Sequence, residues 1–228
     1  MFIIFLELPA RNLQAQRDFY SDVLGLDINI SAKRLEVKAG KTDLIFTQAE
    51  SGFGGAYHFA FNIPENQFDK AKEWISKRIA LLQDETGKVE FASDSWNSHS
   101  VYFKDTTGNV LEFIARHNLT NAVEGEFDRS QILNVSEIGL PSEDVLAFAN
   151  DLCAQLDLSV FMQQPNETFT PVGDDNGLFI LPIKGRIWIP NSGVPARLLP
   201  VKVKGKANGR EWEVRGVPYE IYSAGAEK

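Results

Sequence analysis

One histidine and a set of glutamates stand where they could hold a metal ion. His58 opens the run HFAFNIP, and Glu112 lies in DTTGNVLEFIAR. If both runs are strands, alternation puts His58, Ala60 and Asn62 on one face and Phe59, Phe61 and Ile63 on the other. It likewise sets Val110, Glu112 and Ile114 opposite Leu111 and Phe113. The bulky apolar side would pack beneath a helix. A neutral imidazole and a carboxylate converging on one concave sheet face are two thirds of a minimal open divalent-metal site, so the question becomes where the third ligand is. The blander reading of His58 is a strand histidine bonded to a neighbouring carboxylate or backbone group. An inward Glu112 needs a metal or a partner such as arginine, because a carboxylate is seldom buried alone.

The elements that must position these residues recur along the chain. The first unit reads as a strand over Phe2–Leu8 and a helix entered at Asn12 and stopped at Gly25. The strand-like runs INI, RLEVKA and DLIFTQA follow, before the glycine-rich break SGFGG. A second unit begins at His58, has a helix carrying Phe68, Ala71, Ile75 and Ile79, and ends in SVYFKD and NVLEFIA around a Thr-Gly-Asn turn. The third begins at ILNVSEIGL. Its helix is capped at Ser142, with Val145, Phe148, Ala149, Leu152 and Leu156 at three-and-four spacing, and SVFMQQ, TFTPVG and GLFILPI come after it. LLPVKVKG and VPYEIYS read as strands with no helical period between them, so a fourth unit is truncated. The fold class is therefore α+β, from tandem βαβββ units. The polar, acidic stretch 118–130 reads as a linker between a domain at 1–117 and a partly degenerate one at 131–228.

Composition bounds the partners. With 23 basic and 31 acidic residues the 228-residue chain carries a net charge of -8, which repels phosphate backbones and anionic membranes. Nucleic acid and membrane surfaces are not expected partners. The single cysteine, Cys153, allows no internal disulfide and lies in an apolar helical pattern, as a buried small hydrophobe would. The apolar run MFIIFL is too short for a signal core or a membrane span, and a cytoplasmic setting is expected.

The strand start followed by FYSDVLGL, then HFAFNIP, then DTTGNVLEF, resembles the vicinal oxygen chelate superfamily of glyoxalase I, extradiol dioxygenases, fosfomycin resistance proteins and bleomycin-binding proteins. The resemblance is strong through Arg116 and fainter afterwards. It implies paired units forming cup-shaped mixed sheets, with metal ligands on the first and last strand of a unit, positions matched by His58 and Glu112. Phe5 stands where the first unit would carry a histidine, which leaves two candidates for the third ligand. Glu137 in SEIGLPSED aligns with the first-strand ligand position, with Gly139 leaving room beside it; Glu7 lies two residues beyond Phe5 on the same strand face. Glu137 is preferred, and that requires units two and three to pair. Glu220 in VPYEIYS matches the last-strand glutamate of the truncated unit, with Pro200 at the His58 position.

A His-Glu-Glu set suits Zn, Ni, Mn or Fe(II) and leaves positions for water and substrate. The resemblance then implies a metal-dependent enzyme acting on a small oxygen-rich molecule, with glyoxalase-like isomerisation or lysis favoured over ring cleavage, which uses two histidines and one glutamate. Glu137 or Glu7 could instead act as general base. Tyr102 stands ten positions before Glu112, the spacing of an acid-base tyrosine in ring-cleaving dioxygenases, although a sheet tyrosine more often packs. The rival implication is a metal-free small-molecule binder of the bleomycin-resistance type; a degenerate structural protein is the third. His117 reads as solvated beside the linker, Arg186 as a candidate anion binder, and Trp74, Trp96, Trp188 and Trp212 as scattered. No phosphate loop or nucleophile triad is present in the sequence. A truncated last unit leaves an open edge or apolar face, a reason to suspect self-association into a homo-oligomer.

Overall fold

Two seven-stranded sheets carry the molecule, seen in a computed structural model that describes residues 1–163 and 165–223. The first unit comprises β1 (Phe2–Ala10), α1 (Leu13–Asp18), β2 (Asp27–Ser31), β3 (Arg34–Ala39) and β4 (Thr42–Gln48). The second comprises β5 (His58–Ile63), α2 (Phe68–Ser76), β6 (Glu90–Ser93), β7 (Ser98–Lys104) and β8 (Val110–Arg116). The third has β9 (Asn134–Gly139), α3 (Val145–Leu156), β10 (Phe169–Asp174) and β11 (Gly177–Pro182), and the fourth has β12 (Val201–Ala207), β13 (Arg210–Gly216) and β14 (Glu220–Ser223). This is the expected α+β arrangement. The strand expected over 159–164 is reduced to a bridge between Val160 and Val172 and a helical turn at Phe161–Gln163, with Gln164 outside the described residues.

Sheet order shows which units pair. One sheet runs β14-β13-β12-β1-β4-β3-β2 and the other β10-β11-β9-β5-β8-β7-β6. Unit one therefore joins unit four through antiparallel β1 and β12, and unit two joins unit three through antiparallel β5 and β9. The expected division into 1–117 and 131–228 does not coincide with the sheets, since each draws strands from both parts. Residues 118–130 connect two units that share a sheet. The fourth unit also departs from expectation: β12, β13 and β14 form a meander, so β14 lies at the edge and β13, which the sequence did not reveal, takes the place beside β12.

The apolar alternates of both sheets meet in one core that includes Leu6 and Leu8 of β1, Phe59 and Phe61 of β5, and Val135 and Ile138 of β9. Full burial of such side chains contributes roughly 1.5–3 kcal/mol each. Asn12 caps α1 by accepting from the Ala15 amide, and a π turn over Phe19–Val23 extends it. That extension sets Tyr20 against Phe46 of the first sheet and Phe19 against Phe103 of the second. The cap of α3 is Asp144, which accepts from the Ala147 amide, whereas Ser142 bonds the Asp144 backbone one step earlier. No helix among the described residues is long and apolar enough to cross a membrane.

A polar pin joins α1 and its extension to the second sheet. Buried Asp105, in the β7–β8 turn, accepts from Gln16 Nε2 at 2.7 Å, Asn109 Nδ2 at 2.7 Å, the Asn109 and Thr107 amides, and Tyr20 Oη at 3.3 Å. Burial raises its pKa, and the hydrogen bonds from Gln16 and Asn109 oppose that rise. Asp105→Ala would leave several buried donors unpaired and is expected to lower the unfolding free energy by about 3 kcal/mol or more in urea titrations. A loss below about 1 kcal/mol would show that the pin does not hold α1 to the second sheet.

Candidate metal centre

Register builds the site on the face of the second sheet that is turned from the core. Ala60 of β5 lies between two partners, Glu112 of parallel β8 and Glu137 of antiparallel β9. A methyl group in the middle strand leaves the flanking carboxylates free to lean over it toward His58. Glu137 reaches this face only through an irregularity. Val135 points into the core, so strict alternation would send Glu137 there too. A bulge intervenes: Ala60 pairs with Glu137 and Phe61 with Val135, which leaves Ser136 unpaired and re-aims Glu137 outward.

One ligand atom from each of His58, Glu112 and Glu137 lies within 4.8 Å of the other two. The Nε2 of His58 is 3.6 Å from Glu112 Oε2 and 3.7 Å from Glu137 Oε2. On the other side of the ring, Nδ1 is 3.0 Å from the Val110 carbonyl. That oxygen only accepts, so Nδ1 bears the hydrogen, and in the neutral ring Nε2 presents a lone pair to the two carboxylates. Three lone-pair donors thus face one point. Either a proton or a cation must sit among them, which is the donor set a divalent ion needs, with the backbone carbonyl fixing the imidazole as an outer ligand would.

The sequence did not single out Arg116, although it lies four residues after Glu112 and so on the same strand face. Its Nη2 donates to Glu137 Oε1 and its Nε to Asn62 Oδ1 at 3.3 Å, while Nη1 stands 4.0 Å from Asp175 Oδ1. The guanidinium lies over the rings of Trp96 and Phe161 at 5.5 and 5.8 Å. Arg116 is the largest fully buried side chain. It holds one oxygen of Glu137 and leaves the other toward His58. With neutral imidazole, two carboxylates against one guanidinium leave the cluster one negative charge in excess.

That excess charge shifts the ionisable groups around it. Burial raises the Glu112 carboxyl, and the charge of Glu137 raises it further, to about 7, against the opposing pull of His58, Ser100 and Arg116. For His58, burial is the largest single effect and lowers the pKa, but the hydrogen bond to Glu137 and the charges of both glutamates outweigh it, so the net shift is upward. Tyr102 lies opposite Glu112 in the β7–β8 pair. Burial and then the charges of Glu112 and Glu137 hold its phenol well above its usual pKa, so it is a proton donor here rather than a base.

Above the cluster is a cavity of about 250 Å3 whose walls include Phe91, Trp96, Phe169 and Trp188. Two of the scattered tryptophans therefore meet in one place. Trp188 comes from a strap after β11 and packs on His58 at a tilt of 35°, with ring centroids 4.9 Å apart. Gly139 provides the room: a Cβ there would come within 2.5 Å of the Trp188 ring, so the space expected beside Glu137 is filled by indole. The strap is closed on itself by Trp188 N donating to Val194 O, and tethered to β7 by Lys104 Nζ donating to Ser192 O at 2.8 Å.

The remaining candidates lie elsewhere. Glu7 belongs to the first sheet and pairs with Arg34 at 3.0 Å, so it does not meet His58. In that sheet Phe5 pairs with Lys204 as Glu137 pairs with Ala60, which puts Lys202 rather than Pro200 at the place of His58. Glu220, on the edge strand, is exposed beside Arg215 and Tyr222 and has no counterpart role to Glu112. Arg186 lies over Phe169. Cys153 is half-buried in α3.

No protein-family model matches the chain, and no curated protein matches it. Solved structures do. A candidate dioxygenase from Bacillus subtilis subsp. subtilis str. 168 superposes with a TM-score of 0.61 at 15% identity, over 94% of this chain and 81% of its own. A lactoylglutathione lyase from Agrobacterium tumefaciens gives 0.41 at 23% identity over 49% of this chain and 90% of its own. A glyoxalase/bleomycin resistance protein/dioxygenase from Nocardioides gives 0.41 at 20% identity over 56% and 89%. The chain shares its fold with the candidate Bacillus subtilis dioxygenase.

Proposed function

We propose that this protein is a metal-dependent enzyme of the vicinal oxygen chelate type, with His58, Glu112 and Glu137 holding a Zn, Ni, Mn or Fe(II) ion and a small oxygen-rich molecule as substrate. The observation that carries the reading is the convergence of three ligand atoms, one each from His58, Glu112 and Glu137, at the base of an aromatic-walled cavity. Bound there, a divalent ion would act as a Lewis acid toward neighbouring substrate oxygens. The protein's own part is to position and protect. Val110 fixes the His58 ring, Arg116 fixes Glu137, and Trp96, Phe169 and Trp188 supply apolar walls to the cavity above them. Tyr102 offers a phenolic proton beside Glu112, and the carboxyl of Glu112, held near neutrality, is suited to receive or return a proton. A divalent ion would turn the cluster's one negative charge into one positive charge, which favours a substrate that develops an anion, such as an enediolate. One imidazole with two carboxylates supports isomerisation or lysis over ring cleavage.

The test is to purify the chain without a metal-chelating tag and measure its metals by elemental mass spectrometry. Expected is a tightly held d-block ion whose content falls by one equivalent in His58→Ala and in Glu137→Ala but not in Glu7→Ala. Absence of any metal after incubation with each ion would sink the reading and leave a ligand-binding pocket.

A further inference from the structure

The other face of β7 and β8 carries a separate cluster. His99 shares its strand face with Val101 and Phe103, which belong to the core side, opposite Ser100 and Tyr102 of the cavity. His117 follows β8 by one residue and comes to the same side. The two rings meet with His99 Nδ1 2.8 Å from His117 Nε2, and His117 Nδ1 is 3.2 Å from Glu65 Oε2. An ionised carboxylate only accepts, so the His117 Nδ1 carries a hydrogen and its Nε2 is a lone pair in the neutral ring. His99 therefore donates to it, through the one hydrogen that lies between two nitrogens.

This is the arrangement of a histidine already set for a metal, with its far nitrogen held by a carboxylate. A second imidazole nitrogen waits beside the free one. We infer that His99 and His117, oriented by Glu65, form a second divalent-cation site for a borderline d-block ion such as Zn(II), Ni(II) or Cu(II): the ion takes the place of the hydrogen on His99 Nδ1, and His99 passes by proton exchange with solvent to its Nε2–H tautomer, so that both facing nitrogens present lone pairs. Imidazole pairs select such ions over Mg(II) or Ca(II). Metal–nitrogen bonds of about 2.0–2.1 Å in tetrahedral geometry need the two nitrogens roughly 3.3 Å apart, a widening that side-chain rotation supplies. Room exists: a cavity of about 400 Å3 opens beside the rings, and Asp69 and Glu90, which also line it, are paired with Lys72.

The frame is rigid on three sides. The Glu65 amide donates to Asn121 Oδ1 at 2.8 Å, the His117 amide donates to Asn97 O at 2.9 Å, and His99 packs on Phe68 of α2 with ring centroids 5.2 Å apart. A bound ion would tie the loop before α2 to the ends of β7 and β8. The site is independent of His58, which lies on the opposite face.

Equilibrium dialysis of the metal-stripped full chain against Zn(II) tests it. Expected are two equivalents for wild type, one for His99→Gln or His117→Gln, and retention of this second equivalent in His58→Gln. Glu65→Gln should weaken it about 10–100-fold. Because the chain has only three histidines, imidazole resonances of 15N-labelled wild type give a readout that needs no variant. Zn(II) should shift His99 and His117 signals and Mg(II) should not. Unchanged stoichiometry in folded His99→Gln and His117→Gln, or unmoved His99 and His117 signals, would overturn the site while leaving the His58 centre untouched.

Discussion

Arg116→Met is expected to move stability and cation affinity in opposite directions. The substitution keeps most of the side-chain volume but removes the cation that holds Glu137 Oε1, and leaves a carboxylate that is 2% exposed with its charge uncompensated. Breaking one side of a buried ion pair costs about 3–5 kcal/mol, more than most single changes, so urea unfolding of the metal-free variant should show a loss of that size. The same substitution takes the cluster's excess charge from one negative to two, which strengthens its hold on a divalent ion. Added Zn(II) should therefore recover much of the lost stability, through binding to the folded state alone. Glu137→Gln on top of Arg116→Met should restore stability without metal and reduce the stabilisation by Zn(II) to that of a His58→Gln chain. A variant as stable as wild type without metal would show that Glu137 does not depend on Arg116.

Cation binding should fall steeply below neutrality. Glu112 binds a proton near pH 7 in the folded chain against an ordinary value of 4.5, so folding favours its protonated form. For a raised carboxyl the stability it contributes is fully present below the ordinary pKa and disappears as pH rises through about 7. The metal-free protein is thus expected to lose thermal stability as pH rises through neutrality. A divalent ion reverses this, because it needs the carboxylate and must displace the proton. Affinity should drop about tenfold per pH unit below 7 for the Glu112 proton, approaching about a hundredfold where His58, also raised, is protonated as well. Calorimetric titrations between pH 5.5 and 8, with melting curves at each pH, check both halves. Affinity flat across that range would mean that the ion does not bind at Glu112.

Much of this was legible in order along the chain. The apolar alternates of HFAFNI and VLEFIA identified strands with one core face, and they placed His58 and Glu112 together on the other. The helix over Val145–Leu156 showed its three-and-four spacing. Glu137 was singled out by its place in the third unit, and β5 pairs with β9 as that choice required. The short strands β6 and β13 were less visible. Segments such as REWEVRG, with charges on one side and few apolar residues, alternate too weakly to stand out.

Local sequence determined that His58, Glu112 and Arg116 share one side of their strands, because side-chain direction in a strand follows from residue spacing alone. Whether Glu137 joined them was a tertiary matter. It depended on a bulge at Ser136, which exists only in the register between β9 and β5, and on the choice of the third unit as the second unit's partner. Trp188 over His58, the fit of its ring to Gly139, and the meeting of His99 with His117 likewise had no signature in spacing. These contacts join residues far apart in the chain, and only the pairing of sheets and the path of the connecting segments brings them within reach.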